Sequence, residues 1–267
     1  MAAIDLTRLS RQIEALKTVS SDPIEFRNLL HETLQFYHRH SHRQHKDAVP
    51  ASFMLVYNLP AQVLPQIEHG LSLKARQDPV ETLALVDELW KDNHFEARDL
   101  AAHLLGQLPL TSKSEVYDRL ERWLAAPLDR AVANSIFSKA NQRLLSEDQV
   151  DWSAFIRKLL ESPEARLQNN GLFGLSRLVE QAHSDQLPGF FSIIRPFLQN
   201  DQSLIQPNLS RVVEALARRS PSETTYLLKE VLSDTDGSAI ESRVRSYLPF
   251  FDETASSGLL ESIRRHQ

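Results

Sequence analysis

The feature that most constrains this chain is a pair of helix-like segments that recurs along it. First members start near Asp78, Ser112, Asp148, Gln186 and Pro221, and each is followed by a second near His94, Leu128, Pro163, Gln202 and Ser238. The period is about 35 residues, the length of one helix–turn–helix unit in a repeat protein. Such a unit cannot bury its apolar face alone and must stack on its neighbours. In the first of these segments Val80, Leu83, Ala84, Val86, Leu89 and Trp90 form a stripe in helical spacing, too regular for a strand. Asp22-Pro23, Asp78-Pro79, Ser162-Pro163 and Ser220-Pro221 each set a capping residue before a proline suited to a first helical position. No segment alternates with period two between hairpin turns. The expectation is an all-α fold, a HEAT-like α-solenoid of antiparallel helix pairs, forming one domain over residues 1–267. Residues 78–267 carry the pairs. Residues 1–77 read as an irregular N-terminal cap: a helix near Asp5–Val19, another near Pro23–His45, then a stretch broken by Pro50, Pro60 and Pro65.

Composition removes several function classes. The 267 residues include no cysteine, so disulfides and thiolate metal centres are excluded. The seven glycines are scattered, with no GxGxxG and no GxxxxGK, which argues against a nucleotide site. Gly171 and Gly174 fall in a GLFG run inside an apolar helical stretch, where close helix packing is the expected role. No apolar run approaches the roughly 18 residues of a membrane span. Asp5, Arg8 and Arg11 interrupt Met1–Leu16, which therefore does not read as a signal peptide. A soluble, cytoplasmic protein without a cofactor is expected.

Three stretches resemble one known family. ETLALVDELW (residues 81–90) followed by HFEARDLAAH (94–103) is similar to the helix pair of the AlkD-type DNA alkylation repair proteins. LSRVVEALARRSP (209–221) resembles a late helix of that family, and LERWL (120–124) resembles the helix that leads into its active site. The resemblance spans about 78 to 234 and implies a HEAT-like solenoid, in agreement with the periodicity. It also implies binding of duplex DNA by the second helices and excision of cationic alkylated purines. That chemistry uses aromatic faces for the cationic base and a carboxylate for glycosidic cleavage.

The residues that carry it depart from the pattern here. Counting from Arg122-Trp123, the family's Trp-Asp-x-x-Asp segment falls on RAVAN (130–134), so its tryptophan becomes Arg130 and its catalytic carboxylate Asn134. The second cage tryptophan falls on Arg211, and a WVRR motif whose arginines reach phosphates falls on RLQN (166–169). An amide cannot ionise, and arginines repel a cationic base. Excision of alkylpurines by that mechanism is not expected, and no Ser–His–Asp arrangement replaces it. Asp129 beside Arg130 reads as a solvated acid–base pair. Trp90, Trp123 and Trp152 sit on apolar stripes and read as core.

The net charge of −5 argues against a general nucleic-acid binder. Its distribution is uneven: the second helices sum to about +4 and the first to about −6, which in a solenoid gives one basic and one acidic face. The preferred reading is a non-catalytic binder of duplex or structured DNA, with Arg98, Arg130, Asn134, Arg177 and Arg211 lining the interface. The alternatives are a protein-interaction scaffold, or an active DNA glycosylase if the register is shifted. One more segment stands out, YHRHSHRQHK (37–46). On a helix His38, His42 and His45 share a face and could hold a metal through three imidazoles. Arg39, Arg43 and Lys46 would oppose a cation, so a basic phosphate-contacting patch is preferred there.

Overall fold

The computed structural model describes residues 5–40, 54–234 and 238–266. The chain is all-α. Among the described residues there is no strand, and a lone bridge joins Leu55 to His94. Two compact units divide the chain, residues 1–152 and 153–267. The first holds α1 (Leu6–Thr18), α2 (Pro23–His40), α3 (Val63–Gln77), α4 (Pro79–Trp90), α5 (Phe95–Gln107), α6 (Lys113–Ala125), α7 (Arg130–Ser135), a π-helical segment (Ile136–Ala140) and α8 (Gln142–Glu147). The boundary falls within α9 (Gln149–Leu160). The second unit continues with α10 (Ala165–Gln181), α11 (Leu187–Gln199), α12 (Gln206–Arg219), α13 (Pro221–Asp234), α14 (Ser238–Tyr247) and α15 (Glu253–His266).

In the first unit α1 packs on α3, α3 on α5, and α5 on α7 and the π segment, while α2 packs on α4 and α4 on α5. In the second, α10 packs on α12 and α12 on α14, while α11 packs on α13 and α13 on α15. Contact with both the next helix and the next but one is how a helical repeat covers its apolar faces. The starts of the paired helices fall within a few residues of the positions expected from sequence.

Local chemistry accounts for the differences. Asp22 caps α2 as expected, its Oδ1 accepting from the backbone N–H of Ile24 and of Glu25, each at 3.0 Å. Asp78 does not cap α4. Its carboxylate turns back to Lys74 at 2.6 Å instead. Ser162 accepts from the N–H of Glu164 at 3.2 Å, and α10 begins two residues beyond Pro163, at Ala165. The segment expected to be broken by Pro60 and Pro65 contains a full helix, α3, because Pro65 is its third residue and lies in the first turn, where no intrahelical N–H is needed.

The core follows the apolar stripes. Trp123 and Trp152 are buried, and Trp90 is half-buried with its ring stacked on Trp123 at 3.7 Å and 7°. Gly106 lets α5 approach the π segment: a Cβ there would stand 1.9 Å from the Lys139 carbonyl oxygen. Gly171 of the GLFG run packs on Leu160, whose Cδ2 would lie 3.0 Å from an added Cβ. The acidic excess of the first helices is partly spent on ion pairs between them. Arg27 pairs with Glu88 at 2.5 Å, Arg119 with Asp87 at 2.5 Å and Lys113 with Asp151 at 2.6 Å. In the second unit Arg195 pairs with Asp234 at 2.7 Å and Glu230 at 3.1 Å.

Candidate nucleic-acid interface

Arg130 and Asn134, which the resemblance sets against the family's aromatic and carboxylate, stand on α7. Arg130 is its first residue and Asn134 its fifth, and both are exposed. The helix starts where it does because Asp129 caps it, Oδ1 accepting from the Ala131 N–H at 2.8 Å. The acid expected to be a solvated partner of Arg130 is thus a cap. Arg130 has no ion pair or hydrogen bond among the described residues.

Behind this helix lies a buried polar network that sequence reading missed. Lys139, on the π segment, donates to Glu68 Oε1 at 2.5 Å and to Asp99 Oδ2 at 2.6 Å. Ser135 donates to Asp99 Oδ1 at 2.5 Å. Ser72 donates to the Glu68 carbonyl oxygen at 2.8 Å, so its oxygen accepts from His103 Nε2, 2.9 Å away. Burial pushes the Glu68 carboxyl up to about 7 although Lys139 opposes the shift. Burial likewise pushes His103 down to about 4, and Lys139 adds to that. Burial alone would lower Lys139, yet Asp99 and Glu68 together hold it above the ordinary lysine range. Lys139 therefore faces inward and belongs to the seam between α3, α5 and the π segment, not to a surface that could meet a polyanion.

Arg98 is half-buried on α5. Its Nε donates to the Asp92 carbonyl oxygen at 2.8 Å, and its guanidinium lies 5.3 Å from the Trp90 ring. Burial lowers its pKa, opposed by the Asp92 charge. In the second unit Arg177 and Arg211 come together on one aromatic, Phe173, at 5.8 and 5.0 Å. Arg177 also pairs with Glu180 at 3.1 Å, whereas Arg211 makes no ion pair among the described residues. Other second-helix cations are engaged internally. Arg219 donates to the carbonyl oxygens of Glu180 at 3.1 Å and of Ala182 at 2.5 Å. Arg243 donates to the Leu198 carbonyl and to Asp201 at 2.8 Å, and Arg143 pairs with Glu147 at 2.7 Å. Of the residues that the resemblance sets against the WVRR motif, Gln168 and Asn169 are spent on internal bonds: Gln168 donates to the Ser162 carbonyl at 2.9 Å, and Asn169 accepts twice from Asn208 at 2.9 and 3.0 Å.

Of the three histidines placed on one helical face, His42 and His45 lie outside the described residues. His38 is exposed, and its Nδ1 is hydrogen-bonded to the Tyr57 carbonyl oxygen.

These features define an all-α protein of stacked helix pairs that exposes arginines on second helices. The sequence pattern of the family described as DNA alkylation repair enzyme matches residues 32–237. The chain belongs to that family. No curated protein and no solved structure matches it. Among the described residues no helix is long and apolar enough to cross a membrane.

Proposed function

We propose that this chain is a non-catalytic, DNA-binding member of its family: a HEAT-like repeat protein whose residues 1–267 form one array. Arg130 and Arg211 are its principal phosphate contacts, with Arg98 and Arg177 in support. The observation that supports this reading is the exposure of Arg130 and Asn134 on α7, the residues that the resemblance sets against the family's aromatic and carboxylate. A guanidinium attracts phosphate and repels a cationic base, and Asn134 has no charge with which to stabilise an oxocarbenium-like centre. Duplex or structured DNA fits such a surface better than a small ligand does, because several cations are presented by rigid helices.

The test is fluorescence anisotropy with labelled duplex and branched DNA at low and physiological salt. Wild type should bind with a steep salt dependence, and Arg130→Glu/Arg211→Glu should bind weakly with a slope shallower by about two phosphate contacts. Absence of binding at low salt would turn the search to protein partners. Release of a methylated purine from alkylated DNA by wild type, lost in Asp129→Asn, would show an active glycosylase with a shifted register.

A further inference from the structure

A cluster in the first unit is independent of the DNA reading. His31 comes from α2, while Asp92 and His94 come from the turn between α4 and α5. His31 Nε2 lies 2.7 Å from Asp92 Oδ2, and His94 Nδ1 lies 2.8 Å from Asp92 Oδ1. One donor atom from each of the three falls within 4.8 Å of the others. The side chains retain 20% exposure for His31, 9% for Asp92 and 25% for His94, so solvent can reach the cluster.

We propose that His31, Asp92 and His94 bind a divalent transition-metal ion of the zinc class, leaving a coordination position open to water. Two imidazoles and one carboxylate suit zinc, nickel or copper rather than magnesium or calcium, which prefer oxygen alone. A supporting shell is already in place. The Tyr57 hydroxyl lies 2.8 Å from His31 Nδ1, and the Tyr57 ring stacks on His94 at 4.7 Å and 14°. Tyr57 is itself held by Glu96, whose Oε1 accepts its backbone N–H at 2.8 Å. Without metal, the hydroxyl donates to Nδ1 and both imidazoles donate to Asp92. With metal, Nδ1–H donates to the hydroxyl and Nε2 offers its lone pair, the exchange by which outer partners set a ligand's tautomer.

The surrounding charges allow it. Arg98 is the cation that opposes the ion, through its bond to the Asp92 carbonyl, while Arg27 is neutralised by Glu88. A second carboxylate stands close by: Glu96 is 4% exposed and its Oε2 has no hydrogen-bond partner among the described residues. Metal here would tie α2 to the α4–α5 turn across 61 residues of chain.

The experiment is titration of the full chain with Zn²⁺ alone by calorimetry at pH 7.5, repeated at pH 5.5. One ion per chain should bind, more weakly at pH 5.5 because the imidazoles must be neutral. Binding should persist in His38→Ala/His42→Ala/His45→Ala and vanish in His31→Gln/His94→Gln. Should that double variant lose its helical circular dichroism, His31→Gln alone, which keeps the Asp92–His94 bond, takes its place. Tyr57→Phe should weaken binding about tenfold while leaving one site. No binding by wild type, loss in the His38/His42/His45 variant, or retention in the His31 variants would each overturn the proposal.

Discussion

Within each unit the second helices pack on one another, and the seam in the first unit differs in character from the seam in the second. In the first unit the seam is ionic: Lys139 sits between two carboxylates, with Ser135 and His103 completing the network. In the second, α10 and α12 bury Leu172, Phe173, Leu175, Val179, Leu209, Val212, Val213 and Leu216, with the Asn169–Asn208 clamp near one end and Arg219 on the Glu180 carbonyl near the other. The same helix-pair plan thus tolerates either solution. A buried charge network gives little net stability but penalises any rearrangement that leaves one member alone, whereas apolar contact stabilises without fixing register so tightly. The ionic seam lies directly behind the helix that presents Arg130 and Asn134.

Breaking the ionic seam should have the largest effect. Lys139→Met leaves two carboxylates buried without their cation and should cost about 3–5 kcal/mol. Urea unfolding followed by tryptophan fluorescence checks it, since all three tryptophans lie in the first unit. The loss should shrink at acid pH as the carboxyls take up protons.

The pH profile sharpens the contrast. Glu68, raised to about 7, contributes stability that is complete below its ordinary value near 4.5 and lost as pH rises through 7. His103, lowered to about 4, contributes stability that is complete above 6.5 and lost as pH falls through 4. The two oppose each other between pH 4.5 and 6.5 and flatten the wild-type profile. Glu68→Gln should leave a stability that climbs with pH across that window, and a falling profile would refute the assignment.

Next come the glycines. Gly106→Ala drives a methyl into a backbone carbonyl and should cost about 3 kcal/mol, whereas Gly171→Ala meets only side-chain atoms, of Leu160 and Leu159, at 3.0–3.1 Å and should cost about 1 kcal/mol. Thermal melts rank the two. Smallest is Asn208→Ala, which removes the clamp on Asn169 for about 1 kcal/mol, visible in helical circular dichroism and not in tryptophan fluorescence.

Much of the fold was legible because stacked amphipathic helices write their period and starts into the sequence. What escaped has a common physical form. Pro65 read as a break because a proline in a first turn and one in a helix interior look alike in sequence. Arg219 and Arg243 read as surface charges although carbonyls of other segments about 40 residues away consume them. The pairing of His31 with Asp92 went unseen because only packing brings them together. Arg177 and Arg211 share Phe173, a contact that no spacing rule connects. By contrast, Arg130 and Asn134, expected to line an interface, are both exposed.

The π segment gives the chain a change of phase. A π turn holds one residue more than an α turn, so the residues of α8 are turned about the helix axis by about 100° relative to an unbroken α-helix. Lys139 reaches Glu68 and Asp99 from within the π segment, and Leu144 on α8 is buried under that offset. A relative with one residue fewer between 136 and 140 would wind an ordinary α-helix, and its counterpart of Leu144 would swing off the core face. Insertions and deletions at this point act as a rotary switch on which side chains the following turns present.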